Sequence, residues 1–593
     1  VTGNLKLALA AAVVLATLPG LPTGCRRAEE ARPARATAAA TAAPRQLPVE
    51  PPGPPPPEVQ ATVQGILDSG RHPLLAWPDL TGELPALRTL YAAEPDGLFW
   101  FAGGVPHPAL LEAVETLVHA ERQGLDPRDY DALRMDEKCQ AATAGATYSM
   151  AQRALFDVAL TVATMRLLST LHEGRVDPRL VGFDYDVSAK RLDLAALLRS
   201  TRDAGGLPAA IAIAEPHFPV YRRLVKALGD YRALAAAGEP DPVPALGARQ
   251  RKVAPGTPWA GVVPLSARLR RYGDLPADAP EPPGASDGTP VYDGALVDAV
   301  KLFQGRHALE PDGVVGPGTI AALNVPASAR VRQIELALER ERWLPETRRE
   351  PHIFVNVPLF RLWAYDPERP DEPLRMRVVV GKTLGHETPI FLEQMEYVIF
   401  RPYWSPPPSI VRSEIVPKAR QDASYLSRQD MEIVATGDEG APALPATPDN
   451  LDKVAAGALF VRQRPGERNA LGLAKFIFPN SENVYMHGTP SQSLFARARR
   501  DFSHGCIRLE DPARLAEWVL RDHPGWTRER IDAAMRADRP TQVNLKQKLT
   551  VFLFYDTAYV DSKGVVNFAD DYYGHDARLE KALRHGYPYP RKN

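Results

Sequence analysis

Cysteine is scarce in this chain, with three in 593 residues, at positions 25, 139 and 506. So few exclude a disulfide framework. Charge of one sign is missing as well. The 71 Lys and Arg stand against 72 Asp and Glu, a formal net charge of -1. No global basic field therefore argues for nucleic acid or for an anionic membrane surface. The N-terminal apolar stretch is short too: Leu7 to Leu18, behind Lys6, does not span a bilayer comfortably.

What is present begins with that apolar run, about the length of a signal h-region. It ends in Leu-Pro-Thr-Gly-Cys at 21–25, which resembles a bacterial lipoprotein box with Pro22 where leucine is usual. Residues 1–25 are expected to export the protein to the bacterial cell envelope or periplasm, with lipid anchoring at Cys25 and simple cleavage both open. Residues 26–60 are rich in Ala and Pro and nearly free of large apolar side chains. Such a segment cannot bury enough surface to fold, and its prolines stiffen it into a spacer.

Helical periodicity governs 61–255. Leu111, Val114, Leu117 and Val118 recur at helical spacing before Gly124, and Leu155, Val158, Val162, Met165 and Leu168 do so before Gly174. No catalytic cluster stands out there, and a helical support domain is expected. A smaller unit, 262–326, places Leu296, Val300, Phe303 and His307 on one helical face. A Pro-Asp-Gly turn at Pro311–Gly313 and a helix start at Gly316-Pro317 follow. This unit resembles the small three-helix peptidoglycan-binding domain, with His307 expected to be structural. From 350 the period becomes two, in "PHIFVNVPLF", "LRMRVVVGK" and "EQMEYVIFRPYW". A β-rich domain over 350–577 is expected, closed by the strand-like "LTVFLFYDTAYV". An irregular, charged lid insertion is expected at 405–470 and a C-terminal tail at 578–593. The fold class is multidomain α+β.

Chemistry concentrates at "MHGTPSQSLFARARRDFSHGCIRLEDP", which carries His487, Gly488, Ser503, His504, Gly505, Cys506 and Arg508. A thiolate is the reactive form of cysteine, and an imidazole can take its proton and stabilise the charge. His487 and Cys506 can reach one cleft from adjacent elements. The amides of Gly505 and Cys506, and that of His504, are candidates for an oxyanion hole. In an extended segment Arg508 faces the same side as Cys506 and can hold a carboxylate. Zinc on His487, His504 and Cys506, a buried thiol, and a Cys139–Cys506 bridge compete. Zinc lacks a fourth ligand and the usual ligand spacing. Cys139 reads as a quiet, partly buried thiol.

His487-Gly488, a spacer, then Ser503-His504-Gly505-Cys506-Ile507-Arg508-Leu509 resembles the signature of the L,D-transpeptidase (YkuD-type) catalytic domain. "ERERWLP", "RPYWSPPPSIV" and "NALGLAKFIFPNSENVYMHGTP" are similar to its large YcbB-type members. Those members carry a helical scaffold, a peptidoglycan-binding module and a lid. The resemblance implies that Cys506 is the nucleophile and His487 the general acid/base, acting on the bond before the terminal D-Ala of a tetrapeptide stem. A 3→3 crosslink would be the product, with no metal and no organic cofactor. Ser503, His504 and Gly505 would shape the loop; Arg508, Gly488, Tyr403 and Trp404 would meet substrate. Because Gly488 follows His487, only a main-chain carbonyl is available there as a third partner. Expected partners are peptidoglycan stem peptides and glycan, with a carboxypeptidase or glycosyltransferase alongside. A membrane enters only through the N-terminal signal or anchor, and no nucleic acid is expected. Protein anchoring, stem hydrolysis and a non-catalytic wall-binding scaffold are the alternatives.

Overall fold

The computed structural model describes residues 54–143, 148–202, 206–284, 286–345, 350–369, 372–438 and 440–590. The expected signal, Cys25 and most of the spacer lie outside these residues. The first helix, Pro57–Ser69, starts inside the segment read as spacer. Proline at its first position costs no helical hydrogen bond, and Val59, Val63, Ile66 and Leu67 bury one face.

The helical domain is built around the 24-residue helix Met150–Glu173, whose start is fixed by a reciprocal Ser149–Gln152 capping box. Apolar residues occur all round it. It is long and apolar enough to cross a membrane by length and composition, yet 89% of its apolar window is buried inside the protein. It is therefore a core helix here. In helix Pro108–Val118 the buried stripe is Ala109, Leu110, Ala113, Val114 and Leu117, and Leu111 is 58% exposed. The expectation for Leu111 fails because the alanines, which periodicity in large side chains ignores, form the contact face. Cys139 is a free thiol in this domain's core.

The module packs helices Val262–Arg271, Ala295–Arg306 and Pro317–Leu323 around one core. His307 is buried against Phe303, 3.8 Å between ring centroids, with Nδ1 2.8 Å from the Phe303 carbonyl. It is structural. Helix Ala327–Glu341 then links the parts, and its end carries a charged run that is wholly buried. Glu339 meets Arg175 at 3.0 Å and Arg342 at 3.3 Å, and Arg340 reaches Asp576 at 2.6 Å.

The large sheet has ten strands: β1 (Phe183–Asp184), β2 (His352–Asn356), β3 (Arg361–Tyr365), β4 (Leu374–Gly381), β5 (Ile390–Phe400), β6 (Ala474–Ile477), β7 (Met486–His487), β8 (Asp501–Ser503), β9 (Ile507–Leu509) and β10 (Thr541–Phe554). Its order is β6-β7-β9-β4-β3-β2-β10-β5-β1, with β8 also on β4. Because β6 pairs with β5 as well as β7, eight strands form a closed circuit. The C-terminal strand read as closing the sheet instead lies within it, parallel to β2 and antiparallel to β5. The rest of that stretch, Ala558–Val560, leaves the sheet and pairs with Val566–Phe568. Strand β1 comes from the helical domain.

The insertion at 405–470 is not irregular. It contains a three-stranded sheet (Met431–Val434, Ala443–Leu444, Phe460–Gln463), several short helices, and its own core around Val411, Ile415, Ile433 and Val461. Its surface charges mask that core in a linear reading. The closing segment forms helix His575–Leu583 and then docks on the helical domain, where the Tyr589 hydroxyl donates to Asp129 at 2.5 Å.

Candidate active site

Strands β6, β7 and β9 lie side by side. Lys475 is opposite His487, and His487 is opposite Arg508. Their neighbours Phe476, Met486 and Ile507 point into the core, so Lys475, His487 and Arg508 share the other face. Cys506 sits just before β9, where the Ile507 amide donates to the Tyr485 carbonyl at 3.1 Å. The parallel register sets Cys506 across from Tyr485 and diagonal to His487.

The loop that carries the thiol is tightly pinned. Gly505 has φ 112, a conformation open to glycine and strained for other residues. Ser503 Oγ donates to the Cys506 carbonyl at 2.6 Å and accepts the Gly505 amide at 3.2 Å. Thr388 Oγ1 donates to the Gly505 carbonyl at 2.7 Å and accepts the Gly381 amide at 2.9 Å. The Tyr573 hydroxyl donates to the Gly381 carbonyl at 2.5 Å. A Cβ on Gly381 would lie 2.0 Å from the His386 carbonyl oxygen. Ser503 and Gly505 therefore fix the shape of the loop. The Gly505 amide, however, is committed to Ser503 and is not open to an oxyanion.

Cys506 is a half-buried free thiol. Burial pushes its pKa up; hydrogen bonding from Tyr485 and the charges of Lys475 and Arg508 act against that. His487 is buried, and its pKa is lowered to about 3, first by desolvation and then by Arg508, while the Gly488 carbonyl opposes the shift. Nδ1 lies 2.5 Å from that carbonyl, which assigns the ring proton to Nδ1, and the Leu471 carbonyl opposes the shift as well. Thiol and imidazole thus rest uncharged near neutral pH. Gly488 spends its amide on the Ala474 carbonyl and its carbonyl on His487. It orients the histidine, and the contact with substrate expected of it is not available through these groups.

Arg508 has no acidic partner among the described residues, and burial lowers its pKa. Lys475, which sequence reasoning missed, lies 4.0 Å above the Tyr485 ring with its pKa also lowered by burial. The signal for both was present: Lys475 interrupts an apolar strand at the alternate position, and Tyr485 precedes His487 by one period of two. Thr388 and Tyr573 left no local signal, since they reach the loop from distant segments.

His504 reaches the inserted subdomain. Its Nε2 meets Glu414 of the inserted subdomain at 3.0 Å, and His386 packs against its ring at 4.7 Å. Tyr403 lies under Arg462 at 4.8 Å. Trp404 exchanges main-chain hydrogen bonds with Gln463 and packs on the subdomain's core. Both aromatics pack at the joint between β5 and the insertion.

Comparison with known proteins agrees with this architecture. Residues 350–545 match the L,D-transpeptidase catalytic domain (YkuD), residues 85–228 a scaffold domain, and residues 260–323 a domain described as "Putative peptidoglycan binding domain". A Haemophilus influenzae protein described as "Putative L,D-transpeptidase" is 31% identical over 297 residues, which is 49% of this chain and 58% of that relative's length. Residues 350–545 are thus similar to the L,D-transpeptidase catalytic domain, and the segments before them to a scaffold domain and to a peptidoglycan-binding domain.

Proposed function

We propose that this chain is a peptidoglycan L,D-transpeptidase that forms 3→3 crosslinks through an acyl-enzyme on Cys506. The observation that carries this reading is a free thiol on a rigid loop, diagonal to a buried neutral imidazole, with two cations lacking acidic partners on the same face. Wall stem peptides are rich in carboxylates, which Lys475 and Arg508 are suited to hold.

His487 Nε2 takes the thiol proton as Sγ attacks the carbonyl that precedes the terminal D-Ala. Because the resting pair is uncharged, the proton moves with the attack rather than before it. A thioester forms, the amide C–N bond breaks, and the imidazolium returns its proton to the departing D-Ala amine. An acceptor amine from a second stem then attacks the thioester, His487 takes its proton, and the thiol is restored. The inserted subdomain, latched through Glu414 to His504, covers the region and limits attack by water. The substrate requires the enzyme to work outside the cytoplasmic membrane, in the cell envelope. The apolar segment ahead of the spacer would export it, with Cys25 as a lipidation point.

The test is intact-protein mass spectrometry of the chain from residue 54 onward, mixed with a disaccharide-tetrapeptide, beside Cys506→Ala and His487→Ala. A mass gain that needs Cys506, with a 3→3 dimer among the products, is expected. Stem hydrolysis without dimer would make the enzyme a carboxypeptidase. Absence of any adduct would refute acyl transfer.

A further inference from the structure

A cavity of about 480 Å³ lies between the module and the catalytic sheet and serves no step described above. Its floor includes Trp363 and Tyr559, whose rings meet at 4.8 Å. Five guanidiniums line it, those of Arg361, Arg375, Arg377, Arg497 and Arg500. The lining carboxylates are Glu310 and Asp561, and both are engaged by main-chain amides: Glu310 by Ala498, Asp561 by Lys563 and Val565.

Set against Glu310, Asp561 and the Glu510 that pairs with Arg377, the five guanidiniums leave the groove with a net positive charge. Arg377 is paired with Glu510 at 2.8 Å. Arg500, by contrast, donates only to carbonyls, among them those of Val378, Phe360 and Ala498. Arg375 donates to the Ser562 hydroxyl at 2.9 Å. Arg497 lies over the Phe502 ring at 5.2 Å. Arg361 has no acidic partner among the described residues, and burial together with Arg377 lowers its pKa. Arg500 is lowered to about 10 by burial and by the same neighbours, and stays charged at neutral pH.

Register ties this groove to the cleft. Arg361 is opposite Arg377, Trp363 is opposite Arg375, and Val379 is opposite Arg508. Since Met376 and Val378 enter the core, Arg375, Arg377 and Val379 lie on the face that carries Arg508. Two residues along a strand advance about 7 Å, so Arg508, the Arg377–Glu510 pair and Arg375 follow one another along this face, with buried Val379 between the first two.

We propose that this groove binds stem-peptide carboxylates of a peptidoglycan strand held by the module, as a subsite separate from the reacting stem. The inference rests on the reading of the wall as substrate. Guanidiniums with neutral partners pair readily with carboxylates. Continuity with Arg508 favours a peptide ligand over a phosphodiester polymer.

The experiment sediments the chain with purified insoluble peptidoglycan, stripped of attached polymers, from about 0.03 to about 0.3 M salt, a range over which screening of exposed charges changes strongly. Wild type is compared with R361E/R375E. A second arm offers wild type the same peptidoglycan after its carboxyls have been amidated. The double variant is expected to bind roughly tenfold more weakly and with less salt dependence, the effect of losing two exposed ion pairs. Amidation is expected to reduce wild-type binding similarly, a result that does not depend on how the variant folds. Wild-type-like sedimentation of a variant with an unchanged melting transition would overturn the proposal, as would indifference to amidation. Binding seen only before polymer stripping would assign the groove to phosphodiesters. Acylation of Cys506 is read separately. No adduct, with amidation-sensitive sedimentation intact, refutes the transpeptidase and spares the groove; an adduct with sedimentation indifferent to these arginines refutes the groove alone.

Discussion

Replacing His487 with Gln should remove a large part of the acid sensitivity of the catalytic sheet. The imidazole is buried beside Arg508 and Lys475, and its folded pKa falls from 6.5 to about 3. The unfolded chain therefore binds a proton on the way down from pH 6.5 that the folded state refuses. Stability from this group is fully present above pH 6.5 and is lost as pH falls toward about 3. Linkage puts the loss at about 2 kcal/mol near pH 5 and about 4 kcal/mol near pH 3. His72, His307 and His575 also have lowered pKa values through burial, but they are shared by both proteins and cancel in the difference. The assay is hydrogen exchange against urea at about pH 8 and about pH 5, read on peptides covering residues 474–509. Reading local peptides avoids treating a multidomain unfolding as one transition. Wild type should lose about 2 kcal/mol more than His487→Gln between those conditions. Equal losses would show that the ring is either solvated or already protonated in the fold, and the case for a neutral base would fall with them.

Other consequences are as specific. Glu339→Ala strands Arg175 and Arg342 in the buried joint, so it should cost about 3–5 kcal/mol, measured by urea denaturation. Gly381→Ala forces a Cβ against the His386 carbonyl. It should abolish acylation of Cys506 and lower stability by about 1–3 kcal/mol, as overpacking does; normal acylation would mean the loop is not held from Gly381. Alkylation of Cys506 by iodoacetamide should still be rising at pH 9, because burial raises the thiol's pKa above its ordinary value; a plateau near pH 7 would contradict that. Glu414→Ala removes the contact with His504 and should speed amide exchange in the inserted subdomain by about fivefold, the worth of one hydrogen bond. Unchanged exchange would show that the latch is not closed in solution.

Much of the site was legible in the chain because its chemistry is local. The S-H-G-C-x-R segment places a glycine with φ 112 before the thiol, and the loop is shaped by its own serine. The pair His487-Gly488 implied a carbonyl partner, and the ring indeed rests on it. The change from helical to strand period at 350 located the sheet, because one buried face imposes alternation directly on a strand. Other features depend on which distant segments meet. Lys475 joins the site through pairing of β6 with β7, while Thr388 braces the loop across 117 residues and Tyr573 holds Gly381 across 192. The ring of strands, the borrowed strand β1 and the core inside the insertion have the same origin. The contacts of Tyr403 and Trp404 have this origin too, because the insertion supplies Arg462 and an apolar core for them to pack on. Local sequence carries backbone conformation and amphipathic period, and these decided the elements and the reactive loop. Pairing between strands far apart in the chain depends on the total burial each arrangement achieves, and only the tertiary structure decided which side chains share the face with Cys506.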